Sequence, residues 1–301
     1  MAKSVRTVLD QVDGKGFTAI HGDCVHMLSD LPDNSVGFSI YSPPFGDLFV
    51  YSDSAADMGN VSGDGEFFEQ YGHVIAHKLR VLKPGRLTAV HCTDLPSRKG
   101  RDGYIGVRPF SDDIVRAHRD AGFILHCRVT VWKDPVVEMQ RTKARGLLYK
   151  ELKKDSHISR MGMPDYLLVF RKPGDNPEPI SHKPEDFPVE QWQQWASPVW
   201  MDIKQGNVLN CRMAREQQDE RHLCPLQLDL IERAIILWSN PGDVVLSPFM
   251  GIGSEGYTAV KLGRRFIGSE LKRSYFDQAC KYIAEIEAEM DGGSLFDLMS
   301  A

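Results

Sequence analysis

The chain has 301 residues, of which 42% are hydrophobic and 26% charged, and its net charge is −5. This is the composition of an ordinary globular protein, and no apolar run approaches the roughly 18 residues of a membrane-spanning helix. Residues 1–6 lack the apolar core of a signal peptide and the six cysteines form no Cys-x-x-Cys pair, so we expect a cytoplasmic protein with reduced thiols and no zinc site. The acidic charge argues against a generally basic surface, but a local nucleic-acid footprint stays open.

The first predicted unit is strand, helix, strand. Short apolar runs predict strands over residues 17–21 and 36–41, and a helix over residues 24–31 lies between them. This spacing favours a parallel βαβ unit.

A stiff turn, Ser42-Pro43-Pro44-Phe45, follows the second strand. Two consecutive prolines have no N–H to donate, so the chain must leave the sheet there. In an α/β sheet this point is the carboxyl edge, where ligands bind. The Ser42 side chain, the Pro43 carbonyl and the Phe45 ring would face one crevice and offer two acceptors and an aromatic face to a flat base with an amino group. The alternative is an ordinary strand-ending loop.

Two segments in the middle of the chain fit no sheet pattern. Residues 138–160 carry seven Lys/Arg against three Asp/Glu, which indicates either a solvated face or a phosphate-contacting surface. Residues 173–188 hold five prolines and are typical of an extended connector. We interpret the nearby Trp192, Trp195 and Trp200 as a small cluster beneath this connector rather than as base-stacking residues. Helices are predicted over residues 66–82, 112–121, 222–240, 255–262 and 275–290. Strands are predicted over residues 86–91, 123–132, 165–170, 243–246 and 265–270.

Residues 244–270 form strand, Gly251-x-Gly253 turn, helix and strand, and the last strand ends at Glu270. Such glycines let a ligand approach the backbone, and an acid about 20 residues later can accept hydrogen bonds from ribose hydroxyls. Gly256 completes the pattern Gly-x-Gly-x-x-Gly, so this stretch alone leaves a nicotinamide enzyme open. A nicotinamide-binding fold usually starts with this unit, whereas here it lies far downstream of the Ser42 turn.

Taken together, the upstream Ser-Pro-Pro-Phe tetrad and the downstream Ser247-Pro-Phe249-x-Gly-x-Gly-Ser254 turn resemble the exocyclic-amino DNA methyltransferases. The order of the two motifs, tetrad first and glycine turn second, resembles the β group of this family. Within that group the resemblance is to phage-like or solitary members. About two thirds of the chain shares the resemblance, including residues 21–36, 82–86, 166–172, 225–245 and 262–268.

The resemblance implies an α/β protein with the Rossmann-like fold of S-adenosylmethionine-dependent methyltransferases and a seven-stranded, mostly parallel sheet. A catalytic domain would comprise residues 1–137, 161–172 and 208–301. Residues 138–160 and 173–207 would be target-recognition insertions that contact DNA.

The resemblance also assigns roles to residues. S-adenosylmethionine would lie on the Gly251/Gly253 turn, with Glu270 on its ribose and Asp23 near its adenine; Ser247, Phe249 and Ser254 would complete this site, without a metal. The target base would flip out of duplex DNA and stack on Phe45. Its amino group would donate to the Ser42 side chain and the Pro43 carbonyl, which localises the nitrogen lone pair, and Pro44 completes the catalytic tetrad.

Three interpretations of the activity follow. The tetrad-first arrangement and the continuation over residues 51–60 resemble N6-adenine enzymes, which we favour slightly. Ser42, where Asp or Asn is commoner, is associated with N4-cytosine enzymes. The third alternative belongs to another class: because Ser42 and Ser247 both depart from the commoner residues, the chain would be a DNA-binding protein that kept the fold and lost catalysis.

The expected partner is double-stranded DNA, contacted through Arg141, Lys143 and Arg145 in the basic segment. From the family we expect a homodimer and a bacterial or phage-encoded cytoplasmic protein that modifies DNA in restriction-modification or epigenetic regulation. The tail Ser294-Leu295-Phe296 would pack on the sheet's flank or on a partner subunit; alternatively, it resembles the end of a sliding-clamp-binding peptide.

Overall fold

The computed structural model describes residues 8–44, 64–97, 99–142, 145–211 and 225–292. Its main sheet has nine strands in the order β1-β2-β11-β10-β3-β4-β8-β7-β9. A separate hairpin contains β5 and β6. The strands are β1 (Val8–Asp13), β2 (Phe17–Gly22), β3 (Val36–Tyr41), β4 (Leu82–Thr93), β5 (Leu95–Ser97), β6 (Gly106–Arg108), β7 (Ile124–Val131), β8 (Asp165–Arg171), β9 (Val199–Trp200), β10 (Val244–Ser247) and β11 (Arg265–Glu270).

Ten α-helices accompany these strands in the described residues. They are α1 (Cys24–Asp30), α2 (Asp64–Val81), α3 (Lys99–Asp102), α4 (Phe110–Asp120), α5 (Pro135–Thr142), α6 (Tyr149–Lys154), α7 (Val189–Trp195), α8 (Leu228–Trp238), α9 (Ser254–Lys261) and α10 (Arg273–Met290). None of them is long and apolar enough to cross a membrane.

The centre of the sheet is parallel, because β2, β11, β10, β3 and β4 run in one direction. The next strand, β8, is antiparallel to both β4 and β7. These seven strands confirm the predicted Rossmann-like α/β architecture. The strand number differs from the predicted seven because β1 pairs with β2 at one edge and β9 pairs with β7 at the other.

Helices cover both faces of the sheet and bury two separate cores. One core lies under α8, α9 and α10 and includes Phe38, Ile40 and Val245. The other lies under α1, α2 and α4 and includes Val36, Tyr41 and Leu246. All six residues of β3 are buried, as expected for a central parallel strand that is covered on both faces.

The structure corrects two predictions, one about where a helix begins and one about where a tryptophan packs. The helix predicted over 222–240 begins at Leu228, because the backbone of Gln227, at the N-cap position, is extended. Residues 212–224 lie outside the described residues. Trp200 was expected in a small separate cluster, but it is 1% exposed in the main core and stacks near Trp238, with ring centroids 6.5 Å apart. The chain therefore uses the end of segment 173–207 to complete the sheet edge.

The topology creates a crevice between β3 and β10. These strands are neighbours, but the chain passes from β3 to β4 on one side and from β10 to β11 on the other. At such a switch point the connections diverge and leave a ligand-sized opening at the carboxyl ends of the strands. Ser42, directly after β3, and Ser247, the last residue of β10, therefore lie at the same edge.

Candidate active site

The tetrad begins where β3 ends, and its serine is held by the neighbouring strand. Ser42 Oγ lies 2.9 Å from His91 Nδ1 and 3.0 Å from the His91 carbonyl oxygen. Pro43 is buried and Pro44 is half-buried, so the turn is rigid and packed. Phe45, the predicted base-stacking residue, lies outside the described residues. The described part of the tetrad thus presents a hydroxyl anchored to β4.

Behind Ser42 lies a buried ionic cluster that the sequence interpretation missed. His91 Nε2 is 3.3 Å from Asp165 Oδ2, and Lys133 Nζ contacts the other carboxylate oxygen of Asp165. Burial by itself would raise the pKa of Asp165, but His91 and Lys133 outweigh it and hold that pKa at about 2. Ser42, His91, Asp165 and Lys133 therefore lie in one buried polar cluster, in which His91 Nε2 and Asp165 are close but not aligned as a hydrogen bond.

The strand order explains why these residues meet. His91 lies near the carboxyl end of β4, Lys133 follows β7, and Asp165 opens the antiparallel strand β8 between them. Asp165 pairs in register with Thr93 on one side and Val131 on the other. A signal existed in the sequence, since each residue borders a predicted strand end, but the placement of β8 between β4 and β7 could not be derived from it.

The turn after β10 contains two glycines, and each position requires glycine for a different structural reason. Both are left-handed, with φ of +53° at Gly251 and +87° at Gly253. A Cβ on Gly251 would meet no atom of the described residues within 4 Å, whereas one on Gly253 would lie 2.9 Å from the Cβ and 3.0 Å from the Cα of Ala279 in α10. Gly251 therefore borders open space, and Gly253 allows α9 and α10 to pack closely.

Glu270 supports this turn from the end of β11. Its Oε2 accepts a hydrogen bond from the Gly251 amide at 2.9 Å, and its Oε1 accepts one from the Lys272 amide at 2.9 Å. The carboxylate thus fixes the backbone around the open space above Gly251. Carboxylate oxygens have further lone pairs, so Glu270 can still accept hydrogen bonds from ribose hydroxyls.

Several further groups suit a polar cofactor at this turn. The hydroxyls of Ser247 and Ser254 are buried and have no hydrogen-bond partner within the described part of the chain. The Phe249 ring packs against Tyr41, with centroids 5.7 Å apart, and so joins the glycine turn to the tetrad strand. Open space above Gly251 and two unsatisfied hydroxyls fit the amino-acid end of S-adenosylmethionine.

Asp23 lies at the end of β2 and caps α1. Its Oδ1 accepts a hydrogen bond from the Val25 amide at 2.9 Å. This contact uses one carboxylate oxygen and fixes the side chain at the carboxyl edge of the sheet. The adenine contact predicted for Asp23 stays a prediction, and the structure gives the residue a capping role besides.

An acid that was not singled out in the sequence, Glu255, lies in the first turn of α9. Burial raises its pKa to about 8, and the neighbouring charge of Glu270 acts in the same direction. At neutral pH this carboxyl group is therefore mostly protonated. Among the described residues, no group of three His, Cys, Asp or Glu side chains is arranged to hold a metal ion.

A cavity of about 280 Å³ opens next to the Lys133–Asp165 pair. It has an exposed aromatic ring, apolar walls and one cation; its lining residues are Trp132, Lys133, Pro135, Gly162, Met163 and Pro164. These lining residues flank the basic segment, residues 138–160, in the chain, and they include Lys133, which follows the carboxyl end of β7.

The segment over residues 138–160 folds as short helices around a buried acid. Glu138 is 6% exposed, contacts Arg160 at 3.1 Å and accepts a hydrogen bond from the Met163 amide at 3.0 Å. Helix α6 carries three exposed lysines, at positions 150, 153 and 154. Lys143 and the side chains of Arg141 and Arg145 lie outside the described residues, as do Ser294, Leu295 and Phe296, so their predicted contacts stay predictions.

Comparison with known proteins agrees with this geometry. The family model N6_N4_Mtase, described as DNA methylase, matches residues 36–281. The DNA adenine methyltransferase YhdJ of Escherichia coli K12 is 28% identical over 282 residues, which cover 89% of this chain and 85% of that protein. The type II methyltransferase M.BglII of Bacillus subtilis is 25% identical over 270 residues, covering 88% and 68%.

Solved structures share the fold. A protein of Thermus thermophilus, described as a DNA modification methylase and crystallised with S-adenosyl-L-methionine, superposes with a TM-score of 0.66 at 24% identity, covering 88% of this chain and 92% of that one. The PvuII DNA methyltransferase, described as cytosine-N4-specific, superposes with a TM-score of 0.63 at 17% identity, covering 93% and 94%.

Proposed function

The chain belongs to the N6/N4 DNA methylase family, and from this membership we propose that it transfers a methyl group from S-adenosylmethionine to the exocyclic amino nitrogen of a base flipped out of duplex DNA. One observation carries the proposal. The Ser42 turn after β3 and the Gly251 turn after β10 open onto the same crevice, at the point where the strand order reverses. The acceptors proposed for the amino group and the residues proposed to hold the cofactor would therefore lie side by side.

The cofactor would be held by Gly251, Ser247, Ser254 and Glu270, and it supplies an electrophilic methyl group on a sulfonium. The chain's own contribution is to prepare the nucleophile. An amino nitrogen of adenine or cytosine delocalises its lone pair into the ring. If its two N–H groups donate to Ser42 Oγ and the Pro43 carbonyl, the nitrogen moves towards sp³ geometry and becomes nucleophilic. The nitrogen would form its bond to the methyl carbon as the C–S bond of the sulfonium breaks, S-adenosylhomocysteine would be the leaving product, and the surplus amino proton would pass to water. Much of the rate would come from positioning.

We propose N6 of adenine as the target atom. One relative whose name states a target base is the DNA adenine methyltransferase of Escherichia coli, which aligns over 89% of this chain. N4 of cytosine is the second candidate, because Ser42 stands where adenine enzymes more commonly have Asp or Asn, and a cytosine-N4-specific enzyme shares the fold.

Sequence recognition is proposed for residues 138–160 and 173–207, with Arg141, Lys143 and Arg145 on phosphates. Lysines on the exposed side of α6 add positive charge to the first segment. Charge reversal at the three named positions should lower DNA affinity and flatten its salt dependence, since each phosphate contact releases counterions. An unchanged salt slope in binding assays would reject this placement.

Two proposals concern assembly. A homodimer is expected from the family, and a monomer in light scattering at micromolar concentration would count against it. Deleting residues 294–301 tests the tail: loss of thermal stability or of the dimer supports packing. Unchanged stability with loss of sliding-clamp pulldown supports docking, and a clamp that never binds the intact chain removes that alternative.

The test of function is transfer of a labelled methyl group from S-adenosylmethionine to mixed-sequence duplex DNA. We expect label in the DNA and dependence on Ser42. A protein that binds DNA and cofactor but transfers no label would instead be the catalytically inactive DNA-binding protein.

A further inference from the structure

We infer that His91 is a positioning residue that turns the Ser42 hydroxyl into an acceptor for the target amino group. This inference rests on the proposed function, since it concerns the residue that would touch the reacting nitrogen. It begins with the hydroxyl itself, which has one hydrogen to donate and two lone pairs that can accept. A lone pair that faces the crevice can accept a hydrogen bond from the amino group, whereas a hydroxyl hydrogen that faces the crevice cannot.

Among the described residues, two groups lie within hydrogen-bond distance of Ser42 Oγ, and both belong to His91. Its Nδ1 lies at 2.9 Å and its carbonyl oxygen at 3.0 Å. The carbonyl oxygen can only accept. The protonation state of Nδ1 therefore decides whether the Ser42 hydroxyl meets two acceptors on His91 or one donor and one acceptor.

Asp165 fixes that state from the other side of the ring. The carboxylate of Asp165 is ionised at neutral pH and can only accept. It lies 3.3 Å from Nε2, so a bare lone pair there would be repelled, and a ring that carries a single proton holds that proton on Nε2. Nδ1 is then an acceptor.

The consequence reaches the crevice through Ser42. With two acceptors on His91, the single hydroxyl hydrogen is directed to His91, and the Ser42 lone pairs are left for the amino group. The opposite tautomer, with hydrogen on Nδ1, would donate to Ser42 Oγ and occupy one of these lone pairs. Lys133, which contacts the second oxygen of Asp165, holds the carboxylate in place and balances its charge. A carboxylate that fixes a histidine tautomer for a serine is the same physical device that serine hydrolases use, although here no acyl transfer is involved.

Nuclear magnetic resonance of protein labelled with ¹⁵N-histidine tests the tautomer without an activity measurement. The His91 signals are identified by their loss in His91→Leu. At pH 7.5 we expect Nε2 protonated and Nδ1 unprotonated, and Asp165→Asn should shift the population towards the other tautomer, because an amide can donate to Nε2. A wild-type ring with hydrogen on Nδ1, or one unaffected by Asp165→Asn, would overturn the inference.

Kinetics test the consequence. His91→Leu should lower kcat at least tenfold while the Kd for S-adenosylmethionine changes less than twofold, and it should cost no more than Ser42→Ala, because orientation cannot matter more than the hydroxyl itself. His126→Leu, on the exposed part of β7, is the matched control and should change kcat less than twofold. Thermal melting establishes that each variant is folded at the assay temperature.

The outcomes separate the two proposals. A wild-type protein that transfers no methyl group contradicts the proposed function, whatever the tautomer. If the wild type is active and His91→Leu is equally active, or loses only cofactor affinity, the role of His91 is overturned and the proposed function stands. A His91→Leu variant that loses more activity than Ser42→Ala would show that His91 acts other than through Ser42.

Discussion

Replacing Gly251 and Gly253 by alanine, one at a time, separates cofactor binding from packing in the turn after β10. Both residues are left-handed, with φ of +53° and +87°. Alanine in that conformation costs about 1–2 kcal/mol, and the lower entropy of the unfolded chain returns about 0.4–1 kcal/mol. These two contributions are common to both variants, so the difference between the variants reports the surroundings of the added methyl group.

The surroundings differ sharply. At Gly253 the methyl group would lie 2.9 Å from the Cβ and 3.0 Å from the Cα of Ala279. Because the contact includes backbone of α10, the helices must move apart, and overpacking of this kind costs about 1–3 kcal/mol more. At Gly251 the methyl group meets no atom within 4 Å in the part of the chain that the structure describes. Gly253→Ala should therefore be less stable than Gly251→Ala by about 1–3 kcal/mol.

Cofactor affinity should show the reverse order. The Gly251→Ala methyl group projects into the space assigned to S-adenosylmethionine, so we expect its Kd to rise at least tenfold, or about 1.4 kcal/mol. Gly253→Ala, titrated at a temperature where it is fully folded, should bind more tightly than Gly251→Ala. Urea unfolding gives the stabilities and isothermal titration calorimetry gives the affinities. If Gly251→Ala binds the cofactor as well as wild type does, the open space above Gly251 is not the cofactor bed.

Phe45→Ala should lower kcat and the affinity for DNA with a flippable base, measured in steady-state assays, while cofactor affinity stays within twofold; equal losses of both affinities would reject the separate roles. Glu255→Gln should stabilise the cofactor-free protein increasingly as pH rises. The pKa of Glu255 is raised from 4.5 to about 8. The contribution of the protonated carboxyl group to stability is therefore fully present below about pH 4.5 and is lost as pH rises through about 8. The gain over wild type should grow by about 1.4 kcal/mol per pH unit in between, and a gain independent of pH in urea unfolding at pH 5.5, 7 and 8 would contradict this. Arg86→Met should cost about 3–5 kcal/mol, because fully buried Arg86 donates to the Gly37 carbonyl at 2.8 Å and pairs with buried Asp243. Adding Asp243→Asn should recover part of that loss in chemical denaturation, and a further loss of similar size would argue against an unpaired charge as the cause.

The sequence predicted best those elements that apolar runs and turn residues mark together. β3 with its Pro-Pro exit and β10 with its glycine turn were both found, because buried parallel strands are continuous apolar runs with abrupt ends. The edge strand β1 was missed, since its alternating half-exposed residues include three polar side chains and bury little. β9 has only two residues, and nothing local distinguishes it from the proline-rich connector before it.

The site divides in the same way. Ser42, Pro43, Gly251 and Glu270 are adjacent to recognisable turns, so their type and place could be predicted. His91 lies in β4, Asp165 in β8 and Lys133 just after β7, and they meet because β8 runs antiparallel between β4 and β7. Each of them borders a predicted strand end, but the strand order that brings them together follows from packing across the whole sheet and has no local pattern.

The most direct measurement of the central claim is mass spectrometry of nucleosides from duplex DNA that was incubated with the protein and isotopically labelled S-adenosylmethionine. The proposed reaction predicts a labelled methyl group on an exocyclic amino nitrogen, with N6-methyldeoxyadenosine as the main product and a large loss of it in Ser42→Ala. N4-methyldeoxycytidine instead would retain the chemistry and reverse the choice of base. Label on a ring carbon, or none in DNA that the protein demonstrably binds, would contradict the claim that the crevice between β3 and β10 activates an amino group for methyl transfer.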